Sequence, residues 1–525
     1  MSFDRGLYER VLAAGGGALP PAKPPRPSAA VVVWRRTGAE LEVFWIRRGR
    51  TLPFMGGWHA FPGGAIDRAD AALPLAGAPR HPRPDAATPA APGSPAPADP
   101  DLAPGVAGGA LRELFEETGL LAVAGGDPGA RGALRERLLA GSGGLDAALA
   151  GAGARLDAGR LVFAGRWTSP PFTPVRFDNR FFLLEWRAAD GELRVAPPES
   201  ESGEWIAPAR ALDAIARGDA MAAPPIVHLL HVLAEAGPEA GIPRLIDTSE
   251  ADLGPLRRIE LRTGILLFPL AAATLPPSSH TNCFLVGTGD ALLVDPGSPF
   301  PEENDRLLAA LDAARERLGR RAIAILLSHH HPDHVGGAAE LARRTGLPVW
   351  AHAATAERVA PLGIAVARTL GDSEEIALGG APATTVRVHH TPGHARGHLA
   401  LEIVERGDLL CGDLVAGFGT IVIDPPEGDM DDYLDSLERM RRLAPRTLFP
   451  SHGPAILDAD GKLVEYLRHR LAREEQIHGL WRAGVREPAA MLADVYPDVI
   501  PAARPLAERQ IVAHLERLAR QGRLE

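Results

Sequence analysis

The chain has few cysteines and no long apolar run, and each shortage excludes a class of protein. Only Cys283 and Cys411 occur among 525 residues, which argues against a disulfide framework and for a reducing compartment. No apolar stretch reaches the roughly 18 residues that a membrane span needs. Residues 1–19 lack a basic region followed by an apolar run, so we expect no secretory signal and a cytoplasmic location.

Lysine is also scarce, since only Lys23 and Lys462 occur and the other basic residues are arginines. The formal net charge of −10 means that the global field does not steer the chain to nucleic acid, although a local basic patch stays open. A composition of 46% hydrophobic and 23% charged residues is typical of a soluble globular protein. A chain of this length is too long for one core, so we expect two to four domains.

Changes in composition divide the chain into segments. A stiff proline-rich lead-in precedes a first domain, and a linker separates that domain from a second domain and a helical tail. Within the first domain, an Ala- and Pro-rich stretch has almost no bulky apolar side chains, so we expect it to be disordered. The predicted segments are the lead-in 1–28, the first domain 29–235 with its disordered insertion 71–107, the linker 236–256, the second domain 257–460 and the tail 461–525.

Residue patterns predict several local elements. Residues 29–34 and 41–46 are apolar and β-rich, and the turn Thr37-Gly38 between them predicts a hairpin. Residues 110–121 have helical spacing. Residues 259–269 are predicted to form one strand.

Histidines and aspartates of the second domain carry the strongest chemical signal. Imidazole nitrogens and carboxylate oxygens are ligands for zinc and similar divalent ions. A dense group follows a predicted strand, in the segment Ser328-His329-His330-His331-Pro332-Asp333-His334, and three more donors occur later in the chain. The seven candidate ligands are His329, His331, Asp333, His334, His394, Asp413 and His452.

The spacing of these residues sorts them into two sets of ligands, one for each ion. Residues i and i+2 of an extended segment point the same way, so His329 and His331 can share one ion, which His394 completes. Pro332 is expected to prevent a helix from continuing there. Asp333 and His334 come after this turn and can face a second ion.

His452 completes the second site, and Asp413 is the natural bridging carboxylate. Each ion keeps an open position, which is typical of catalytic metal sites. Two such ions can lower the pKa of a shared water toward about 7, giving hydroxide at neutral pH, and Asp333 is the predicted catalytic residue that orients it.

These motifs resemble those of the metallo-β-lactamase-fold hydrolases, whose H-x-H-x-D-H signature matches residues 329–334. The resemblance implies a four-layer αβ/βα sandwich with the metals at one edge of two facing sheets. It also implies that Asp295, in Val294-Asp295-Pro296-Gly297, holds a ligand histidine in place from outside the metal shell. His398 is favoured as a residue behind the ligands or at the substrate, and His330, His389 and His390 receive no ligand role.

The segment from Phe449 to Pro454 and the tail resemble the β-lactamase-like protein 2 group, which carries a small C-terminal winged helix. The tail segments with this likeness are 470–477, Val495-Tyr496-Pro497 and 513–518. That group includes single-strand endoribonucleases, so nucleic-acid contact by the tail stays open. The histidine-rich ligand set favours zinc, with iron and manganese open.

The first domain contains Arg112-Glu113-Leu114-Phe115-Glu116-Glu117-Thr118-Gly119-Leu120. On a helix, Glu113, Glu116 and Glu117 fall on one face, where three carboxylates can bind Mg²⁺ or Mn²⁺ and hence a diphosphate. The alternative is a solvated acidic helix face. The segment resembles the second half of a Nudix box split by an insertion, as in a subgroup that includes coenzyme A diphosphatases.

The Nudix resemblance implies an α/β/α sandwich, with Arg112 bracing the glutamates and Glu116 and Glu117 catalytic. Phe61-Pro62-Gly63-Gly64 supplies the expected upstream glycine, and Asp70 stands near the place of the usual glutamate. The coenzyme A signature is only half met, because Gly57 fits but Pro53 replaces its arginine.

The leading hypothesis is therefore a multidomain α/β and α+β protein with two hydrolytic sites. A binuclear-metal hydroxide would attack a thioester, ester or phosphodiester, and a Mg²⁺-dependent Nudix site would act on a nucleoside-diphosphate-linked substrate. An acyl-coenzyme A molecule could serve both sites. The alternative hypothesis is a single-strand RNA endonuclease whose Nudix half binds a nucleotide without cleaving it. A third hypothesis is non-enzymatic and makes the tail a DNA-binding winged helix.

Overall fold

The computed structural model describes residues 24–50, 52, 55–81, 100–126, 129, 131–141, 144–170, 173, 175–195, 197–275, 278–499 and 501–524. Beyond the N-terminal residues, these form two compact units, Lys23–Asp252 and Leu253–Glu525. Residues 1–23 of the predicted lead-in lie outside the described residues. Among the described helices, none combines the length and apolar character that crossing a bilayer requires.

The Lys23–Asp252 unit is built on a mixed sheet in the order β10-β2-β1-β9-β8, with β3 paired to β2 and β4 to β1. The strands are β1 Arg26–Thr37, β2 Glu40–Arg48, β3 His59–Ala60, β4 Gly63–Ala65, β5 Leu75–Ala76, β6 Val123–Gly125, β7 Ala154–Asp157, β8 Val162–Thr168, β9 Phe177–Glu185 and β10 Ser200–Ile206. The α-helices are α1 Pro104–Thr118, α2 Arg131–Leu139, α3 Leu145–Gly151, α4 Pro208–Arg217, α5 Pro224–Ala240 and α6 Ile242–Ile246. The 3₁₀ helices are Arg68–Ala72, Pro100–Leu102, Ala158–Arg160, Ala188–Asp190 and Thr248–Ala251.

Alternating side chains of β1 explain why helices cover both faces of this sheet. Val31 and Val33 pack into the core that contains α1, whereas Val32 packs into the core that contains α4 and α5. All three are fully buried, because successive residues of a strand point to opposite faces. The predicted hairpin is confirmed, since Thr37 of β1 pairs with Glu40 of β2 across the turn.

Two expectations about irregular segments need correction. The predicted disordered insertion 71–107 is ordered at both ends, because β5 pairs with β7 and α1 already begins at Pro104, a proline suited to a first helical turn. Its residues 82–99 lie outside the described residues. The predicted linker 236–256 also carries regular structure, and Leu245 of α6 is fully buried against the sheet of its unit.

The Leu253–Glu525 unit contains two larger sheets, of seven and five strands. The strands from the unit boundary onward are β11 Asp252–Leu253, β12 Leu256–Arg257, β13 Ile259–Arg262, β14 Ile265–Ala271, β15 His280–Val286, β16 Asp290–Val294, β17 Arg321–Leu327, β18 Val349–Ala351, β19 Val366–Thr369, β20 Glu375–Leu378, β21 Thr384–His390, β22 Leu399–Ile403, β23 Asp408–Gly412 and β24 Thr447–Pro450. The α-helices are α7 Pro301–Leu318, α8 Pro332–Val335, α9 Ala338–Thr345, α10 Ala353–Val359, α11 Met430–Arg442, α12 Ala459–Arg482, α13 Pro488–Val495 and α14 Arg504–Arg520. The 3₁₀ helices are Ala360–Leu362 and Pro501–Ala503.

These elements form the four layers that the sequence resemblance implies. Helices α7, α9 and α10 cover the β13–β19 sheet, and α11 and α12 cover the β20–β24 sheet. Phe284 and Phe449 meet edge to face between the sheets, with ring centroids 6.4 Å apart. The single strand predicted over 259–269 is wrong: Gly264 adopts a φ of 82° and turns the chain between β13 and β14.

The tail packs around its own small core. Helices α12, α13 and α14 bury Ile477, Met491, Val495, Ile511 and Leu518. Long helix α12 also contributes Leu463 and Tyr466 to the core beneath the five-stranded sheet. One helix therefore belongs to both the tail and the sandwich.

Candidate metal centre

The histidine-rich segment leaves the carboxyl end of β17, which runs parallel to both neighbouring strands. The expectation that Pro332 prevents a helix is wrong, because Pro332 is the first residue of the single turn α8. Proline suits that position, where its missing N–H costs no hydrogen bond. His329 and His331 thus precede the turn, whereas Asp333 and His334 lie on it.

The other three candidate ligands also follow strands. His394 comes four residues after β21, Asp413 directly follows β23, and His452 follows β24. Strands β23 and β24 are parallel, so their carboxyl ends meet at the same edge of their sheet. Side chains that are far apart in the sequence are brought together in this way.

The donor atoms of all seven residues converge. Three sets each have their donor atoms within 4.8 Å of one another: His329 with His331 and His394, His329 with His334 and Asp413, and Asp333 with His334 and His452. Ligands bound about 2.0–2.1 Å from a tetrahedral zinc ion lie about 3.3 Å apart. Individual separations here bracket that value, from 3.0 Å between His329 Nε2 and His331 Nδ1 to 3.9 Å between His334 Nε2 and Asp333 Oδ1.

Asp413 lies between two of these groups and presents one carboxylate oxygen to each. Its Oδ1 lies 3.6 Å from His334 Nε2 and 3.5 Å from His452 Nε2. Its Oδ2 lies 3.6 Å from His394 Nε2. This is the arrangement that a carboxylate shared by two cations requires.

Groups behind these residues orient three of the imidazoles. His334 Nδ1 lies 2.9 Å from Asp295 Oδ2, His394 Nδ1 donates to the Val422 carbonyl at 2.7 Å, and His452 Nδ1 lies 3.1 Å from the His280 carbonyl. In each case the Nε2 atom is left to face the shared centre. The carbonyls of Val422 and His280 were missed by the sequence analysis, because a backbone acceptor leaves no mark on residue type.

Asp295 is held under strain. It is almost fully buried and has a φ of 52°, a left-handed conformation that costs a non-glycine residue about 1 kcal/mol or more. Its carboxylate also accepts from the Ser328 N–H at 2.7 Å and the Ser328 hydroxyl at 2.5 Å. Asp295 therefore links the start of the histidine segment to His334.

The remaining histidines lie outside the three sets. His398 Nε2 accepts from the Asp413 N–H at 2.9 Å, so His398 supports the shared carboxylate from behind. His389 Nε2 lies 2.8 Å from Glu402, and His390 Nε2 lies 2.8 Å from the Arg396 carbonyl. His330 Nδ1 lies 4.0 Å from Glu427.

The chemistry of the donor set fits divalent cations. His334 Nε2, His394 Nε2 and Asp413 Oδ1 are buried without a hydrogen-bond partner, a costly state unless an ion satisfies them. Burial lowers the pKa of His329 and keeps it neutral, as a metal ligand must be. Burial also lowers the pKa of His452, but the carboxylates of Asp413 and Asp333 outweigh burial and raise that pKa to about 10. A bound cation would take the place of this proton beside the two carboxylates.

The glutamates of α1 form a second acidic cluster, in the Lys23–Asp252 unit. Arg112 Nη1 donates to Glu113 and Glu116 at 2.9 Å each, and its Nε donates to buried Asp70 at 2.7 Å. Glu117 accepts from the Gly63 N–H at 2.8 Å. Among the described residues, these glutamates do not form a set of three donor atoms within 4.8 Å.

Electrostatics of this cluster are unusual for carboxylates. Burial raises the pKa of Glu113 to about 7 and that of Glu117 to about 8, and it raises the pKa of Glu116. A Cβ atom at Gly64 would lie 2.5 Å from the Glu113 carboxylate, so only glycine leaves room for this approach. Arg112 compensates part of the negative charge, as the sequence analysis predicts.

Known proteins resemble this chain mainly over its C-terminal half. A profile described as "Metallo-beta-lactamase superfamily" matches residues 277–452, and one described as "Beta-lactamase associated winged helix domain" matches residues 488–525. A Beta-lactamase-like protein 2 homolog of Caenorhabditis elegans is 30% identical over 251 residues, which cover 47% of this chain and 80% of that protein. The homolog of Drosophila melanogaster is 31% identical over 266 residues, covering 46% of this chain and 84% of that protein.

The chain belongs to the metallo-β-lactamase superfamily. It is a hydrolase of that fold with a C-terminal winged-helix domain, which confirms the predicted fold class and enzyme class. A crystal structure of a NUDIX hydrolase from Alicyclobacillus acidocaldarius is also similar, with 31% identity and a TM-score of 0.31 over 40% of this chain and 91% of that chain. The Nudix resemblance of the first unit stays a prediction.

Proposed function

We propose that the Leu253–Glu525 unit is a binuclear metallohydrolase that acts on a small molecule with a thioester, ester or phosphodiester bond. His329, His331 and His394 would hold one cation, and Asp333, His334 and His452 the other. The observation that carries the proposal is the position of Asp413, whose two oxygens face the two groups at 3.5–3.6 Å. A site for one structural ion would need no such shared carboxylate.

Two divalent cations at this site would polarise the scissile bond and acidify an attacking water. The chain's own residues perform the rest. Asp333 is buried beside His452, with its Oδ2 3.4 Å from His452 Nε2, so it can orient the water. His398 and Asp295 keep the ligand groups in place through the contacts described above.

A substrate panel with metal analysis tests this proposal. The purified full chain should contain two equivalents of zinc, iron or manganese, measured by elemental analysis. Thioester, ester and phosphodiester substrates would then be assayed with the wild type and with His331→Ala. His478 is hydrogen-bonded to the Arg523 carbonyl within the tail and is not a candidate ligand, so His478→Ala serves as the matched control. Hydrolysis that survives His331→Ala would refute the site.

For the Lys23–Asp252 unit we propose a Mg²⁺-dependent, Nudix-type hydrolase of a nucleoside-diphosphate-linked compound. The proposal is supported by Glu113, Glu116 and Glu117 on one helix and by Asp70, which holds Arg112 among them. The raised pKa values of Glu113 and Glu117 reflect carboxylates crowded into a poorly solvated place, which a cation would relieve.

The substitution Glu116→Gln separates turnover from binding at this site. We expect loss of Mg²⁺-dependent diphosphate cleavage, with Glu136→Gln on an exposed face of α2 as the control. Unchanged turnover and nucleotide affinity in Glu116→Gln would favour a nucleotide-binding module. Acyl-coenzyme A that yields neither free thiol nor phosphopantetheine would exclude the idea that both sites act on one molecule.

The tail is better suited to packing than to contact with nucleic acid. Arg509, Arg517 and Arg520 of α14 form ion pairs with Asp424 and Asp431 of the same unit. Guanidinium groups used in this way are less available for phosphates. The alternative function, a single-strand RNA endonuclease, is tested by incubating single-stranded RNA with each protein. RNA that the wild type cleaves and His331→Ala leaves intact would support that alternative.

A further inference from the structure

The loop that follows Asp413 contacts His394. This loop, residues 414–424, contains Val422, whose carbonyl accepts the hydrogen bond from His394 Nδ1 at 2.7 Å. His394 is the one member of its group that does not come from the 329–334 segment. Whatever holds Val422 in place therefore also holds His394 toward its group.

Helix α12 is hydrogen-bonded to the first part of this loop. The Tyr466 hydroxyl accepts from the Ala416 N–H at 3.0 Å and donates to the Gly419 carbonyl at 3.2 Å. Tyr466 is almost fully buried, so these contacts are not shared with solvent. The loop is thus tied to the tail close to the candidate bridging ligand, Asp413.

Arg470, one turn further along α12, is hydrogen-bonded to the middle of the loop. Its Nη2 donates to the Thr420 hydroxyl at 3.1 Å and to the Ile421 carbonyl at 2.5 Å. Arg470 has no exposed surface, and its guanidinium lies 5.3 Å from the centre of the Tyr433 ring. No carboxylate among the described residues forms an ion pair with it. Burying an unpaired guanidinium costs several kcal/mol, so these acceptors must stay in place to satisfy it.

Gln510 of α14 closes the arrangement from the other side. Its Oε1 accepts from Arg470 Nη1 at 2.7 Å and from the Ile423 N–H at 3.4 Å. Ile421 and Ile423 flank Val422 directly. The neighbouring Arg509 donates to Asp424 at 2.6 Å. Two tail helices thus fix the backbone on both sides of the carbonyl that His394 requires.

We propose that Arg470 and Gln510 are positioning residues for the metal centre, acting through Val422 on His394. The winged-helix tail is then a part of the hydrolytic site. This inference rests on the proposed binuclear site, whose first cation His394 would help to bind. Groups that orient a ligand from behind typically change metal affinity by about 10- to 100-fold, so the tail should set the affinity of one cation selectively.

The test is a metal titration of the full chain, freed of metal, with Co²⁺ against a competing chelator. We expect Arg470→Met and Gln510→Leu to weaken one of two Co²⁺ affinities by about 10- to 100-fold and to alter its visible spectrum. The other affinity should change less than about threefold, and Arg470→Lys should recover part of the loss. Arg473 of α12 lies 5.2 Å from the centre of the Tyr496 ring, so Arg473→Met, which alters a contact within the tail, is the matched control.

The outcomes separate the inference from the function beneath it. Both affinities unchanged in Gln510→Leu, or both reduced equally, would overturn the positioning role while leaving the binuclear site intact. Wild-type protein that binds fewer than two Co²⁺ ions would overturn the site and the inference together. The unfolding temperature of each metal-free variant identifies general damage to the fold, and Gln510→Leu decides the question if Arg470→Met does not fold.

Discussion

Glu117 allows a test of the acidic cluster on α1 that needs no knowledge of its substrate. The substitution Glu117→Gln keeps an oxygen that can accept from the Gly63 N–H but removes the charge. Burial raises the pKa of Glu117 from its ordinary value of 4.5 to about 8. Because the folded pKa lies above the unfolded one, the metal-free wild type loses stability as the pH rises between these values.

The size of this effect follows from the same numbers. A rise from 4.5 to about 8 corresponds to about 5 kcal/mol, at about 1.36 kcal/mol for each pKa unit. Relaxation of the neighbouring groups and entry of water reduce the expected penalty to about 2–3 kcal/mol at pH 8. At pH 5 the penalty should be under about 1 kcal/mol. For a domain of roughly 150–250 residues, the pH 8 value corresponds to about 5–10 °C in unfolding temperature.

Differential scanning calorimetry of the full chain in chelator, at pH 5 and pH 8, measures the effect. Glu117→Gln should raise one unfolding temperature at pH 8 but hardly at pH 5, and Mg²⁺ should raise it in the wild type only. Glu136→Gln, an exposed glutamate, should do neither. Equal unfolding temperatures for the variant and wild type at pH 8, or the same gain at pH 5, would refute the reasoning.

Three further predictions concern charged groups. Asp295→Asn should lower the affinity for one of two metal ions by about 10- to 100-fold in chelator competition, whereas Asp290→Asn should not; equal affinities would contradict the link to the metal centre. Asp413→Asn should leave the purified protein with fewer than two equivalents of metal by elemental analysis, and full loading would argue against a shared carboxylate. Asp190→Ala leaves the buried guanidinium of Arg160 unpaired, so urea denaturation should show a loss of about 3–5 kcal/mol, and a loss under 1 kcal/mol would show that Arg160 finds water.

The parts of the molecule that could be predicted are those that a short stretch of sequence determines. The segment 329–334 carries four candidate ligands within six residues, so metal binding can be predicted from it before any fold is known. The β1–β2 hairpin is similar, because a turn dipeptide lies between two apolar runs. Asp295 required the family resemblance, since it lies 39 residues from His334.

Other features depend on distant contacts or on backbone groups and could not be predicted. The turn at Gly264 was missed because Ile259 and Leu261 alternate with polar residues as in a strand, and apolar residues resume directly at Ile265. Helix α1 begins at Pro104 inside a stretch whose composition suggests disorder, where a buried core supplies the missing stabilisation. The hydrogen bonds between the tail and the loop that follows Asp413 join residues that are 50 and 87 positions apart in the sequence.

The order of the candidate ligands along the chain has a consequence for biosynthesis. His329 is translated long before His452, and a ribosome releases the polypeptide from its N-terminus onward. Neither group of donors is complete until β21 or β24 has emerged and joined its sheet. Cation binding at this centre would therefore come late, so a truncated or stalled nascent chain would not retain its metal. Metal bound at the centre would indicate that synthesis of the sandwich is finished.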